Sequence, residues 1–206
     1  MINKIIPTNE TINIETKEGV CWITMNRPKS LNALNSDLAT ALTDVTSAIK
    51  TNKNIRAVVL TGEGDHFLAG GDIKTFKTMI MEEKNKAILS QKFEELLQSF
   101  HSVIVNMYTM PQPILASVKG AVAGAGVSLM AACDLAIASK DTFFTLAYCH
   151  LGVSPDGGST YSLPRIVGLK RAFEITLLGD HFNAETAEKW GMLNKVVAKD
   201  SLLEET

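Results

Sequence analysis

The chain has 206 residues, which is room for one substantial core or at most two small domains. Its 20 basic and 22 acidic residues leave a formal net charge of −2, so nothing in the charge balance points to nucleic acid or an anionic membrane. Three cysteines, Cys21, Cys133 and Cys149, form no closely spaced pair, and an odd count argues against a disulfide framework; reduced thiols and a cytoplasmic setting are the expectation.

The first twenty residues mix Asn, Lys, Thr and Glu and contain no apolar run of the signal-peptide kind. Residues Thr11–Thr16 and Val20–Met25 alternate around Lys17-Glu18-Gly19, which predicts a hairpin. A proline-containing loop, Asn26–Asn32, follows. Leu38, Leu42, Val45 and Ile49 then recur at helical spacing behind a Ser36 cap. A strand is predicted over 55–61, and Lys74–Lys86 reads as partly irregular. From Ala87 to Met107, the spacing of Leu89, Phe93, Leu96, Phe100, Val103, Ile104 and Met107 predicts a long amphipathic helix that stops near Pro111.

Beyond it, Ile114–Val118 reads as a buried strand. The apolar stretch Ala121–Ala138 is interrupted by Asp134, which favours a buried helix over a membrane span. A strand near Thr142–Phe144 and a loop at Gly152–Gly158 come next. A helix over Lys170–Leu178 is stopped by Gly179, a short helix runs from Ala184 to Gly191, and Leu193–Ala198 reads as a last strand. Strands alternating with helices predict an α/β domain with mainly parallel strands.

Two glycine-rich turns stand out, Ala69-Gly70-Gly71-Asp72-Ile73-Lys74 and Gly120–Gly126, and the apolar runs Ala57–Leu60 and Ile114–Val118 read as the buried strands that enter them. Glycine and alanine at a strand-to-helix corner leave backbone N–H groups approachable, and the start of the next helix adds partial positive charge. The second run lacks the Gly-Lys-Ser/Thr ending of a phosphate loop and does not have the GxGxxG spacing. A structural corner, a phosphate site and a cradle for an enolate oxygen all remain open on these residues alone. Adjacent Cys149 and His150 lack a second ligand pair, so no metal is expected.

The ordered set Asn26-Arg27-Pro28, Asn32-Ala33-Leu34, the two glycine turns, Cys133-Asp134, Pro155-Asp156-Gly157-Gly158 and Leu163-Pro164-Arg165 resembles the crotonase superfamily, the enoyl-CoA hydratase/isomerase family. The resemblance covers nearly the whole chain and lies closest to isomerase-like members with a catalytic aspartate. It implies a crotonase-like (ClpP/crotonase) spiral of ββα units that binds acyl-CoA thioesters, with no cofactor beyond the coenzyme A of the substrate. It implies an oxyanion hole formed by the N–H of Gly71 and that of Ala125, with Gly124 as a one-residue alternative. The nucleotide of coenzyme A is expected against Lys29, Ser30 and Leu31 and against Ala69, Gly70, Asp72 and Ile73. Lys29 and Lys74 are each either contacts to its phosphates or solvated surface charges.

Family hydratases carry two glutamates, at positions that fall on Ser128 and Tyr148 in this chain. Neither can serve as a carboxylate base, so the resemblance favours isomerisation with Asp156 as the single base; the competing reading of Asp156 is an Asx turn. His150, a Tyr148 hydrogen bond to the acyl pocket, and Met79, Met81, Met107 and Met110 as its lining are weaker candidates. Ser128 is expected to bond within its own helix. The resemblance also implies homotrimers or hexamers built through C-terminal helices. Residues 1–199 are read as the core and 200–206 as the start of a truncated C-terminal helical region. Within the family the alternative is an enoyl-CoA hydratase or another thioester lyase or hydrolase that uses Asp156 differently, and the alternative of another class is a non-catalytic acyl-CoA-binding or assembly subunit.

Overall fold

Three pairs of strands, each a longer one followed by a short one, organise the chain. The computed structural model describes residues 7–206, so the first six residues of the expected core lie outside the described residues. β3 (Ala57–Gly62), β5 (Ile114–Val118) and β7 (Leu135–Ser139) lie side by side in a large sheet. Each is followed by a short strand, β4 (Leu68–Ala69), β6 (Ala121–Ala123) or β8 (Phe143–Thr145), that joins a second sheet. A helix follows each short strand: α2 (Ile73–Glu82), then α3 (Lys86–Thr109), after β4; α4 (Ala125–Ala131) after β6; α5 (Tyr148–Leu151), α6 (Ser159–Val167) and α7 (Leu169–Leu178) after β8. This is the ββα spiral, and the strands linking its turns within each sheet are parallel.

The hairpin β1 (Ile12–Lys17) and β2 (Val20–Met25) extends the large sheet at one edge, and β10 (Lys195–Val197) closes the other. β9 (Phe182–Asn183) pairs antiparallel with β8, and α8 (Ala184–Lys189) leads to β10. A short helix, α9 (Leu202–Glu205), ends the chain. In β3 the run Val58, Val59 and Leu60 is buried throughout, as expected for a parallel strand covered on both faces. Helix α1 (Ser36–Thr51) presents Leu38, Leu42, Val45 and Ile49 to the core, opposite Phe100, Val103 and Met107 of α3. None of the described helices is long and apolar enough to cross a membrane.

Several sequence expectations are corrected. The cap of α1 is Asn35, whose side chain accepts the Leu38 N–H, because the chain is already helical at Ser36. Lys74–Lys86 is mostly helix α2, started by Asp72 as its cap. The stretch Ala121–Ala138 is not one helix: it holds β6, α4 and β7, since Gly124 at positive φ and the polar break at Asp134 cut it into three. The strands that enter the glycine turns are the short β4 and β6, not the longer β3 and β5. Helix α6 tolerates Pro164 in its last turns and was hidden by it.

Gly126 fixes how α4 sits on β4. A Cβ there would lie 2.1 Å from the Leu68 carbonyl oxygen. Backbone cannot yield at that distance, so Gly126→Ala is expected to destabilise the fold by about 3 kcal/mol. Chemical denaturation checks this, and an unchanged midpoint would contradict the packing argument.

Candidate active site

The parallel register of β4 and β6 brings the two glycine turns together. Leu68 pairs with Val122 and Ala69 with Ala123, so the next residues, Gly70-Gly71 and Gly124-Ala125, leave the sheet side by side. Gly70 and Gly124 both adopt positive φ, and a Cβ on Gly124 would lie 3.6 Å from Gly70 Cα. The positive φ, rather than a shortage of space, is what calls for glycine at both positions.

The hydrogen-bond pattern decides which N–H groups remain available. Leu34 donates to the Gly70 carbonyl at 2.7 Å and accepts from the Asp72 N–H at 2.8 Å. Leu34 bridges Gly71 in parallel fashion, so the N–H of Gly71 points away from that loop. Gly124 donates its own N–H to Thr145 O at 2.9 Å. The N–H of Ala125 follows, at the first position of α4, where no carbonyl four residues back can accept it. Among the described residues no protein acceptor takes the N–H of Gly71 or Ala125.

The loop of Lys29, Ser30 and Leu31 docks onto the first turn, with the Ala69 N–H donating to Leu31 O at 3.1 Å. All three residues are exposed, as are Ile73 and Lys74. Asp72 enters this cradle differently. It is buried, and its carboxylate accepts from Arg27 at 2.7 Å and caps Thr75 at 3.1 Å. Burial works to raise its pKa, but the Arg27 guanidinium and the Thr75 N–H outweigh it and hold the carboxyl below the ordinary value. Its side chain therefore braces the turn, while Asn32, fully buried, ties the same loop to Glu63 O and His66 O.

Asp156 lies in the loop before α6. Its side chain accepts a hydrogen bond from the Tyr148 hydroxyl. Its carbonyl accepts from Ser128 Oγ and Ser159 Oγ, each at 3.0 Å. Burial raises the Asp156 carboxyl above the ordinary value, and the Tyr148 hydroxyl and the charge of His101 only partly counter that. The ring of Tyr148 also reaches the second glycine turn: its Cζ would be 3.7 Å from a Cβ on Gly124. One buried side chain thus touches both Asp156 and the turn that carries Ala125.

Ser128 does more than bond within α4. It bridges from that helix to the Asp156 loop, which its position in the sequence did not reveal. Phe76 and Phe93 were also missed as site residues. Their rings meet edge to face at 5.4 Å, and Phe76 lies so near Gly71 that a Cβ there would be 2.6 Å from its ring. Met107 and Met110 are core, Met79 is half-buried and Met81 is exposed. Cys149 and His150 are exposed and sit against Gly179.

Gly157 makes the loop possible. It has φ +56°, and a Cβ would lie 2.4 Å from the Phe100 ring and 2.7 Å from Ser128 Cβ. Gly157→Ala is expected to cost about 2 kcal/mol in stability and to displace Asp156. Thermal melting together with turnover checks this; a variant with native stability and turnover would contradict it.

The enoyl-CoA hydratase/isomerase family profile matches residues 15–206. The chain is 32% identical over 193 residues to 1,2-epoxyphenylacetyl-CoA isomerase of Escherichia coli (strain K12), covering 94% of this chain and 72% of that protein. It is 33% identical over 198 residues to crotonyl-CoA hydratase of Syntrophomonas wolfei subsp. wolfei, covering 95% and 72%. The crystal structure of enoyl-CoA hydratase from Bacillus anthracis superposes with a TM-score of 0.87 at 28% identity, covering 95% of this chain and 73% of that one.

Proposed function

The chain belongs to the enoyl-CoA hydratase/isomerase family, and on that premise we propose that it shifts a carbon–carbon double bond in an acyl-CoA thioester, from the 3-enoyl to the 2-enoyl position or a related pair. Asp156 is the base. It takes a proton from C2 of the 3-enoyl thioester, and the electron pair delocalises into a dienolate with its negative charge on the thioester oxygen. The N–H groups of Gly71 and Ala125 hold that oxygen. Asp156 then returns the proton at C4, so the product is an isomer and no atom is gained or lost. Lys29, Ser30, Leu31, Ala69, Gly70 and Ile73 form the cradle for coenzyme A, with Asp72 bracing it from behind.

The observation that carries this reading is the environment of Asp156. A carboxylate whose proton affinity is raised by burial is a stronger base than a solvated one. It shares Tyr148 with the turn that bears a free N–H. Hydration would need a base to activate water and an acid to protonate the α-carbon, and the two positions that family hydratases fill with glutamate hold Ser128 and Tyr148. Both of those side chains hold on to Asp156. Charge that develops on the thioester oxygen in the transition state is what preorganised N–H donors stabilise most.

The test is direct. Incubation with a 3-enoyl-CoA, followed by the ultraviolet absorbance of the conjugated thioester, is expected to show formation of the 2-enoyl isomer. Binding of acyl-CoA without turnover of any 3-enoyl thioester would instead favour a binding subunit.

A further inference from the structure

Asp156 has two carboxylate oxygens, and the side chains around it engage one of them. The Tyr148 hydroxyl donates to Oδ1, whereas among the described residues no side chain donates to Oδ2. Tyr148 is 8% exposed, and its ring rests against Gly124 of the oxyanion turn. Burial, and then the neighbouring Asp156 charge, push the phenol well above its ordinary value, so it stays a donor throughout the working pH range.

We propose that Tyr148 is a positioning residue for the reaction: its hydroxyl pins Oδ1 of Asp156 against the oxyanion turn and leaves Oδ2 as the single oxygen that removes and returns the proton. This deepens the isomerase reading and rests on Asp156 being the base. The phenol takes no proton from substrate. It fixes the rotation of the carboxylate, and a fixed base is what a two-step transfer between C2 and C4 needs, because any turn of the carboxylate after the first step misplaces the second.

The groups facing Asp156 are few. Tyr148 on α5 and His101 on α3 are titratable, and Ser128 on α4 and Ser159 on α6 are not. The hydrogen bond from Tyr148 favours the charged carboxylate. Removing it raises the proton affinity of Asp156 further, so the acid limb of the pH profile moves to higher pH.

The experiment measures kcat and KM against pH for the wild type, Tyr148→Phe and Asp156→Asn with a 3-enoyl-CoA. Tyr148→Phe keeps the ring and removes one hydroxyl. It is expected to lower kcat about tenfold, the loss typical of one hydrogen bond to a charged group, with KM within about twofold and the acid limb shifted to higher pH. A second variant carries 3-fluorotyrosine at position 148 alone. Its more acidic phenol donates more strongly and moves the limb to lower pH. Limbs that stay in place in both variants, or move in the same direction, overturn the positioning role even if stability falls. Asp156→Asn separates the two readings. If it stays active the base assignment fails, whereas if it is inactive and the Tyr148 variants show an unmoved limb, only the positioning role fails.

Discussion

Asp156→Asn is expected to lower kcat for double-bond isomerisation by about 10²–10⁴-fold, the range that a positioned general base contributes. The amide is close to the carboxylate in size and can still accept from the Tyr148 hydroxyl. The loop carbonyl keeps its bonds from Ser128 and Ser159, so the fold should survive. What is lost is the basic oxygen. The pH dependence of the wild type follows the same logic. The base must be ionised, and burial raises its pKa above the ordinary carboxylate value. Turnover therefore falls as pH drops through that raised pKa and is restored above it. The residual rate of Asp156→Asn should show no such limb. A variant with wild-type turnover would remove Asp156 from the chemistry.

The second large effect belongs to the oxyanion turn. Ala125→Pro deletes one N–H and no helical hydrogen bond, because the first position of α4 has no acceptor of its own. Proline suits that helical position, and the preceding Gly124, at φ 46° and ψ −114°, lies outside the right-handed α region that a following proline disfavours. Loss of one donor is expected to reduce kcat by about 10²–10³-fold. Binding weakens as well, because the proline Cδ takes the place of the hydrogen that faces the thioester oxygen. Ala125 is buried, so melting and acyl-CoA binding accompany the kinetics as controls. Near-normal kcat in a folded variant would contradict the role of this N–H.

Much of the architecture was legible because it rests on periodicity and punctuation. The hairpin at Ile12–Met25, the amphipathic face of α3 and the glycine stop after α7 all follow from apolar spacing and turn residues. The short strands β4 and β6 were not legible. Strands of two and three residues carry no alternation, and their existence depends on pairing with each other across about fifty residues of chain. The division of Ala121–Ala138 was missed for a similar reason: β6, α4 and β7 are all built from small and apolar residues, so composition does not separate them.

The candidate site is legible in part: glycine at a corner together with the family resemblance marks Gly71 and Ala125, the structure brings those two turns side by side, and the N–H of Gly124 is engaged by Thr145. The partners of Asp156 were hidden. Tyr148 precedes it by eight residues and Ser128 by twenty-eight, and the three lie on separate elements, so no single periodic face links them. Only the close approach of α4, α5 and the Gly157 turn brings them to one residue, Tyr148 at its carboxylate and Ser128 at its carbonyl. Asp72 looked like part of the nucleotide cradle by its place in the motif, and its side chain proved to be a cap and an ion-pair partner.

Isomerisation by one aspartate and hydration by two acids part company when 3-enoyl-CoA and 2-enoyl-CoA are given separately to the wild type and to Asp156→Asn. With Asp156 as the single base, the wild type converts 3-enoyl-CoA, Asp156→Asn does not, and neither hydrates 2-enoyl-CoA to any extent. Rapid hydration of 2-enoyl-CoA that is unaffected by Asp156→Asn would contradict that role of Asp156.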